Sequence, residues 1–339
     1  MAWAYPQFTR EEVDAAGDSL INPDADSATI DKALIVLNNW RSAHAFPLNT
    51  FQNGLRNRVM TVDHTAVVAQ RIKRLSSIEK KLRRPMRLRL SEIQDIGGCR
   101  AIVNSVQQVS RVVELCKESR HRHVQDDEDD YISGPKTSGY RSHHLIYQYH
   151  SDRNSTYNEL KIEVQIRTQL QHAWATAVET VSTFTRQNLK SGSGKKDWRR
   201  FFLLMSSSIA MREGTSLAPG TPVDPGKLKD ELRDHIESHG MLRKLDAFNR
   251  ATGTEFDPAL AHVKHVLIVL DFPNRRTWYR YYESSRSQEA FKEYSRLEQE
   301  SPYDVVLVSM DSLRDLRRAY PNYFLDMDEF LRAVRHAIS

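Results

Sequence analysis

The sequence predicts an α+β chain, and three observations carry that expectation. Residues 159–168, ELKIEVQIRT, alternate strictly, with Leu160, Ile162, Val164 and Ile166 set against Lys161, Glu163, Gln165 and Arg167. A strand has a period of two, so one face is wholly apolar and the other carries an acid, an amide and two bases. Short apolar runs at 99–103 and 143–150 read as further strands, and the segments around them place apolar residues at helical spacing. The tail repeats the mixture, with strand candidates at 263–272, 277–282 and 304–310 between helical stretches at about 287–299, 311–319 and 326–338.

Taken in order, residues 26–60 read as helices. Ser27 or Thr29 is the expected cap for a segment bearing Ile30, Ala33, Leu34 and Leu37. A longer helix is expected over about 62–83, with Val67, Ile72, Leu75, Ile78 and Leu82 on its buried side and Lys73, Ser77 and Lys81 at i, i+4 and i+8 on another. On its own such a basic stripe reads as a solvated face. Residues 92–104 form a turn into a buried strand, where Gly97 and Gly98 permit a tight path or close approach by a ligand. A lone Asp95 before them reads as a turn residue. Residues 106–120 read as an amphipathic helix, and the acidic run 126–130 is expected to be exposed in its first half. Residues 168–187 place Leu170, Ala173, Trp174, Ala177, Val178 and Val181 at helical spacing, so this helix packs on the sheet with Trp174 in the core. SGSGK at 191–195 is a flexible break and not a phosphate-binding P-loop, whose G-x-x-x-x-G-K-S/T spacing is absent. Helices follow at 198–212 and 228–249, separated by a Pro/Gly-rich stretch at 217–226. This punctuation divides the chain into an N-terminal helical segment (1–60), a central domain (61–215), a helical linker (216–259) and a small α+β module (260–339).

Composition sets limits. With 339 residues, 27% charged and 40% hydrophobic, the chain is an ordinary water-soluble composition with room for two modules. No apolar run is long enough to cross a bilayer, and the N-terminus lacks the basic-then-apolar layout of a secretory signal, so a cytoplasmic protein is expected. Cys99 and Cys116 are the only cysteines, and neither lies in a metal-like Cys/His cluster. The formal charge of +5 is modest, but residues 71–89 hold nine Lys or Arg against the single acid Glu79. That clustering attracts a polyanion such as ATP, another nucleotide or RNA.

The loop 130–144, DYISGPKTSGYRSHH, brings Lys136, Tyr140, Arg141, Ser142 and His144 close to the 159–168 strand in sequence. A carboxylate among phosphate-binding bases, beside an aromatic ring able to stack on a nucleobase, points to phosphoryl or pyrophosphoryl transfer.

Four segments, in order, resemble the synthetase domain of the RelA/SpoT family. RIKRLSSIEKK at 71–81 is similar to the family's R-x-K…S-I-x-x-K helix. DIGGCR at 95–100 is similar to its D-I/L-x-G-x-R segment. Residues 130–144 resemble its D-Y-I-x-x-P-K-x-N-G-Y-x-S-x-H loop, and EVQIRT at 163–168 its E-I/V-Q-I/L-R-T strand. Each is weak alone; together they span 71–168, and the resemblance extends to about 215.

The resemblance implies a mixed sheet with helices on both sides, nucleotidyltransferase-like, and transfer of the β,γ-pyrophosphate of ATP to a ribose 3′-hydroxyl, making (p)ppGpp from GDP or GTP. It implies that Glu163 is the general base, that Asp95 and Glu163 hold Mg²⁺, and that Arg71, Lys73, Ser77, Lys81 and Arg100 bind ATP. On the acceptor side it implies Tyr140 as a stacking platform, with Lys136, Ser138, His144, Gln165 and Arg167 around the nucleotide. His172 and Glu179, on the helix after the strand, are secondary candidates.

Two departures bear on function. The family's loop Asn is Ser138 here, with a shorter side chain and a different donor pattern. The spaced His…His-Asp pattern of the family's hydrolase is missing upstream, which implies a synthetase-only member. A second acceptor therefore stays open: the 3′-CCA end of tRNA, as in toxins similar to this family, some with a fused inhibitory module. The basic stretch 83–89, Ser138 and the 260–339 module are compatible with it. A third possibility is a non-catalytic nucleotide- or RNA-binding module. The tail is expected to cover the site, mediate homo-oligomerisation or bind a regulatory protein partner.

Overall fold

The structure is a computed structural model and describes residues 3–84, 88–185, 189, 194–250, 265–271, 276–299, 303–309 and 327–339. Its frame is one mixed sheet of eight strands. The central strands are β1 (Val67–Ile72), β2 (Gly97–Val103), β3 (Val124–Asp130), β4 (His143–Gln148) and β5 (Lys161–Thr168). The tail supplies β6 (His265–Asp271), β7 (Arg276–Tyr282) and β8 (Tyr303–Ser309). Their order across the sheet is β3-β4-β5-β2-β1-β8-β6-β7. The pair β2–β5 is parallel and the other pairs are antiparallel.

One face of the sheet is covered by α1 (Arg10–Ile21), α2 (Ser27–Ala43), α3 (Ala45–Val62) and α5 (Val106–Lys117). Helix α1 starts with a reciprocal capping box between Thr9 and Glu12. Helix α2 is capped by Asp26, whose carboxylate accepts from the Thr29 backbone N–H; the expected caps Ser27 and Thr29 lie inside the helix instead. An Asp at this position also complements the positive helix end, which a hydroxyl cannot do. Leu37, Trp40, Leu48, Leu55 and Val59 from these helices join Ile96, Cys99, Val112, Ile162 and Val164 in one core.

The helix expected over 62–83 is two elements: β1, then a turn, then α4 (Leu75–Leu82). Ile72, Leu75, Ile78 and Leu82 fit a helical period, but Val67, Val68 and Ile72 pair with β2 as a strand. Tertiary pairing of a β-branched run outweighs the local period. The acidic run forms β3, the edge strand, with a register shift between Gln125 and Asp127. Charged residues on an edge discourage pairing with another chain.

Helix α6 (Gln169–Thr185) leaves β5 directly and packs with α7 (Lys196–Glu213), α8 (Pro225–His239) and α9 (Met241–Arg250). The single helix expected over 228–249 is α8 and α9, broken at Gly240, which takes the left-handed conformation at φ 60° that ends α8. Trp174 is core, as expected, and its indole N–H donates to the Phe202 carbonyl at 2.8 Å.

The described parts of residues 260–339 extend the same sheet, with a small core of their own around Leu267, Tyr294 and Val305, while the last helix joins the core of α6–α9. Strand β8 pairs with β1 at Gln70↔Ser309 and Arg71↔Val308. Helix α10 (Ser287–Gln299) packs on β6 and β8, and α11 (Asp328–Ile338) crosses to α6, α7, α8 and α9. The helix expected at 311–319 lies outside the described residues, as does most of the 191–195 break.

Candidate active site

Register gathers the polar side chains onto one face. Arg71 is opposite Gly98, Gly98 opposite Glu163, Arg100 opposite Gln165, and Gln165 opposite His144. Strand partners share a face, so Arg71, Arg100, Glu163, Gln165, Arg167 and His144 crowd one side of the sheet. Gly98, with no side chain, separates Arg71 from Glu163.

On one flank Asp95, just before β2, is gripped by two ammonium groups. Lys73 Nζ lies 2.5 Å from Oδ2 and Lys81 Nζ lies 2.8 Å from Oδ1. Burial alone would raise the Asp95 carboxyl; the two lysines outweigh it and hold it well below the usual carboxylate range. The same burial pushes Lys73 down to about 8, against the pull of Asp95 and with the push of Lys81 and Arg71. Ser77 lies in the first turn of α4, partly exposed, on the same helix as Lys81. Although Arg71 and Lys73 are not on a helix, the turn after β1 still brings Lys73 and Lys81 to one carboxylate.

In the middle, Glu163 accepts from two donors. His144 Nδ1 is 3.0 Å from Oε1, and Gln165 Nε2 is 2.6 Å from Oε2. Burial raises the Glu163 carboxyl, but the His144 charge and hydrogen bond bring it net below its ordinary value. His144 is pushed up to about 9: burial lowers it, and the Tyr140 hydroxyl and Glu163 more than compensate. Its Nε2 lies 2.9 Å from the Tyr140 hydroxyl, so Tyr140, His144 and Glu163 form a continuous chain. Gln165 bridges onward, accepting from Arg100 Nε at 3.3 Å.

On the other flank the 130–144 loop is tightly built. Lys136 Nζ lies 4.0 Å from the Tyr131 ring centre and 5.8 Å from that of Tyr140. Gly139 is held at φ 87°, where a Cβ would come within 2.9 Å of Ser206 Cβ. Ser206 on α7 donates to the Gly139 carbonyl at 2.6 Å and accepts from Arg141 Nε at 2.9 Å. Ser138 is partly exposed at the loop tip beside Gly139. Arg167 is 3% exposed, and its Nε is a buried nitrogen without a hydrogen-bond partner. Burial first, and Arg100 next, press its guanidinium below the ordinary range, while Tyr140 and Glu179 oppose them. Glu179 is thus close enough to act on the site through Arg167.

The structure thus joins Lys73, Lys81 and Asp95 in one contact set and Tyr140, His144, Glu163, Gln165 and Arg100 in another. Sequence reading missed Ser206, which locks the loop, and Arg41 and Glu298, which flank the turn before α4. A serine within a helix, and a pair separated by over half the chain, leave no local pattern.

A match to known proteins falls on this site. Residues 70–188 match the family model described as "Region found in RelA / SpoT proteins". Over 119 residues the chain is 37% identical to the GTP pyrophosphokinase YjbM of Bacillus subtilis, covering 34% of this chain and 56% of that protein. It is 33% identical over 119 residues to the GTP pyrophosphokinase YwaC of the same organism, covering 34% and 55% respectively. The chain thus spans about half the length of these curated relatives. Among solved structures it is similar to the small alarmone synthetase 1 from Bacillus subtilis bound to its product pppGpp, at 25% identity, 50% coverage of this chain, 88% of that one and a TM-score of 0.43.

Proposed function

We propose that the chain is an ATP-dependent pyrophosphokinase that transfers the β,γ-pyrophosphate of ATP to the ribose 3′-hydroxyl of GDP or GTP. The observation that carries this reading is the placement of Glu163. It is an ionised, partly buried carboxylate, with His144 on one oxygen and a face of bases around it. The likeness over 119 residues to two GTP pyrophosphokinases, at 37% and 33% identity, supports that substrate class.

The acceptor hydroxyl is a poor nucleophile, so the reaction needs a base at the oxygen that attacks. Glu163 takes the 3′-hydroxyl proton as that oxygen bonds to the β-phosphorus. The bond from the β-phosphorus to the α,β-bridging oxygen breaks, and AMP departs with the electron pair. Each Glu163 oxygen accepts one hydrogen bond from the protein and keeps a lone-pair site for this proton. Negative charge grows on the transferred and leaving oxygens, and Arg71, Lys73, Lys81 and Arg100 are placed to offset it.

Asp95 and Glu163 also fit a hard divalent cation, which binds through one or two carboxylates together with substrate phosphates. Among the described residues no cluster of three or more metal-ligating side chains occurs, so phosphates are needed to complete such a site. Asp95 and Glu163 would hold Mg²⁺, which would supply neutralisation of charge on the phosphate oxygens. Lys73 and Lys81, paired with Asp95, are the cations that would face the same phosphates. On the acceptor side Tyr140 is 7% exposed, and Lys136 sits above Tyr131 and Tyr140. A base stacks on Tyr140 once the exposed Lys136 swings to the acceptor's phosphates.

The test is label transfer from β- and γ-labelled ATP to GDP, GTP or deacylated tRNA. Label in a guanosine nucleotide supports the proposal; label only in tRNA replaces the acceptor, and none in either removes the transferase reading.

A further inference from the structure

The turn that feeds α4 is held by a side chain more than two hundred residues away. Glu298 lies near the end of α10, and its Oε1 accepts from the Leu75 backbone N–H, the first residue of α4, at 2.5 Å. The same oxygen accepts from the Tyr294 hydroxyl at 3.1 Å, and Oε2 pairs with the Arg41 guanidinium at 2.8 Å. The two side chains are 7% and 3% exposed. Arg41 Nε donates to the Lys73 carbonyl at 3.0 Å, and its guanidinium carbon lies 4.8 Å from the Tyr294 ring centre. One buried ion pair thus grips both ends of the Lys73–Leu75 turn, at the Lys73 carbonyl and at the Leu75 N–H.

This matters because α4 has little support of its own. It is eight residues long, and its N-cap residue, Arg74, makes no side-chain capping bond. A helix that short is marginal in isolation, and its first amides need an acceptor. Glu298 supplies that acceptor as a carboxylate, which also complements the positive end of the helix. What α4 presents is Ser77 and Lys81, with Lys73 immediately before it, so the orientation of this turn decides how the two lysines meet Asp95.

We infer that Glu298 is a positioning residue of the pyrophosphate-donor site: α10 braces α4 through Glu298 and Arg41, so the C-terminal part of the chain completes that site. The inference rests on the donor role proposed for Lys73, Ser77 and Lys81. It predicts a specific split, since the acceptor loop at 130–144 is held by α7 through Ser206 and not by this brace.

The experiment uses the full chain with Glu298→Ala and Glu298→Gln. Readouts are hydrogen exchange of the α4 amides, affinity for a non-hydrolysable ATP analogue, and KM for ATP and for GTP. Loss of a helix cap corresponds to about a tenfold change in an equilibrium, so Glu298→Ala is expected to speed α4 exchange and weaken analogue binding by about tenfold, with the KM for GTP little changed. Glu298→Gln keeps a carbonyl for Leu75 but loses the charge facing Arg41, and is expected to show a smaller loss of the same kind. It carries the test if Glu298→Ala does not fold. Unchanged exchange and unchanged ATP-analogue affinity overturn the inference. So does faster exchange without weaker analogue binding, which would leave Glu298 purely structural, or an equal loss for ATP and GTP. If the parent chain transfers no pyrophosphate, the function proposed above fails; exchange and analogue affinity, which need no turnover, still decide the brace.

Discussion

In the proposed reaction, Glu163 and its partners carry the chemistry at the scale of single residues. A neutral amide at this position keeps the volume and the contact with Gln165 but cannot take a proton. Glu163→Gln is expected to lower kcat by about 10²–10⁴-fold, the usual range for a lost general base, while ATP-analogue binding stays within a few-fold. Single-turnover rates beside calorimetric affinities check this; a kcat within a few-fold of the parent removes Glu163 from the role. The His144–Glu163 pair also leaves a signature in stability. His144 has its pKa raised in the fold from 6.5 to about 9, so its stabilising contribution is fully present below 6.5 and is lost as pH rises towards 9. Glu163 is lowered from 4.5, so its share is present above that value and is lost on acidification. The stability gap between the parent and His144→Gln is therefore expected to be largest between about pH 5 and 6.5 and to shrink by pH 9, as read from urea denaturation across that range. These residues were legible in sequence because four short segments each carried one part of the pattern. Gln165 was legible as a site residue but not as the bridge from Arg100 to Glu163, since that depends on the β2–β5 register.

Elements show where local reading succeeds and where it stops. Strand β5 was legible because its alternation is uninterrupted over eight residues and one face is buried. Strand β1 was not: Ile72 serves both as the last residue of a strand and as the first of a helical series continued by Leu75, Ile78 and Leu82. Only the antiparallel partner β2 resolves that ambiguity. The 130–144 loop, the proposed acceptor loop, is the most constrained of these segments. Gly139 combines a positive φ with the close approach of Ser206 and Trp174. Gly139→Ala is expected to destabilise the protein by about 1–3 kcal/mol through backbone strain, with additional crowding against Ser206, and to raise the KM for the acceptor more than that for ATP. Thermal denaturation and paired KM measurements check both parts; an unchanged acceptor KM would show that this loop does not form the acceptor pocket.

Across the whole molecule, the sheet runs unbroken from the acidic edge at β3 to the tail strands β6 and β7, through a β1–β8 junction that holds Gln70↔Ser309 and Arg71↔Val308 among the described residues. Composition and punctuation suggested the 260–339 stretch as a distinct piece, because Pro/Gly-rich segments precede it and its own strands and helices follow. They held no information on where those strands would dock, since pairing between β1 and β8 joins segments more than two hundred residues apart. Helix α11 makes the integration concrete: Phe330 is fully buried, stacked on Phe202 with ring centres 5.7 Å apart, in the core shared with α6 and α7. Phe330→Ala is expected to lower stability by about 3–5 kcal/mol and to loosen α6 and α7 as well as α11, as followed by denaturation and hydrogen exchange. Loss confined to α11 would show that the C-terminal helix is only loosely attached. The central claim concerns transfer itself, and the most direct measurement is label movement from β- and γ-labelled ATP to GDP or GTP with Mg²⁺, for the full chain and for Glu163→Gln side by side. The prediction is a labelled guanosine nucleotide carrying both phosphates from the parent chain and almost none from the variant; equal transfer by the two proteins, or no guanosine product from the parent, would contradict it.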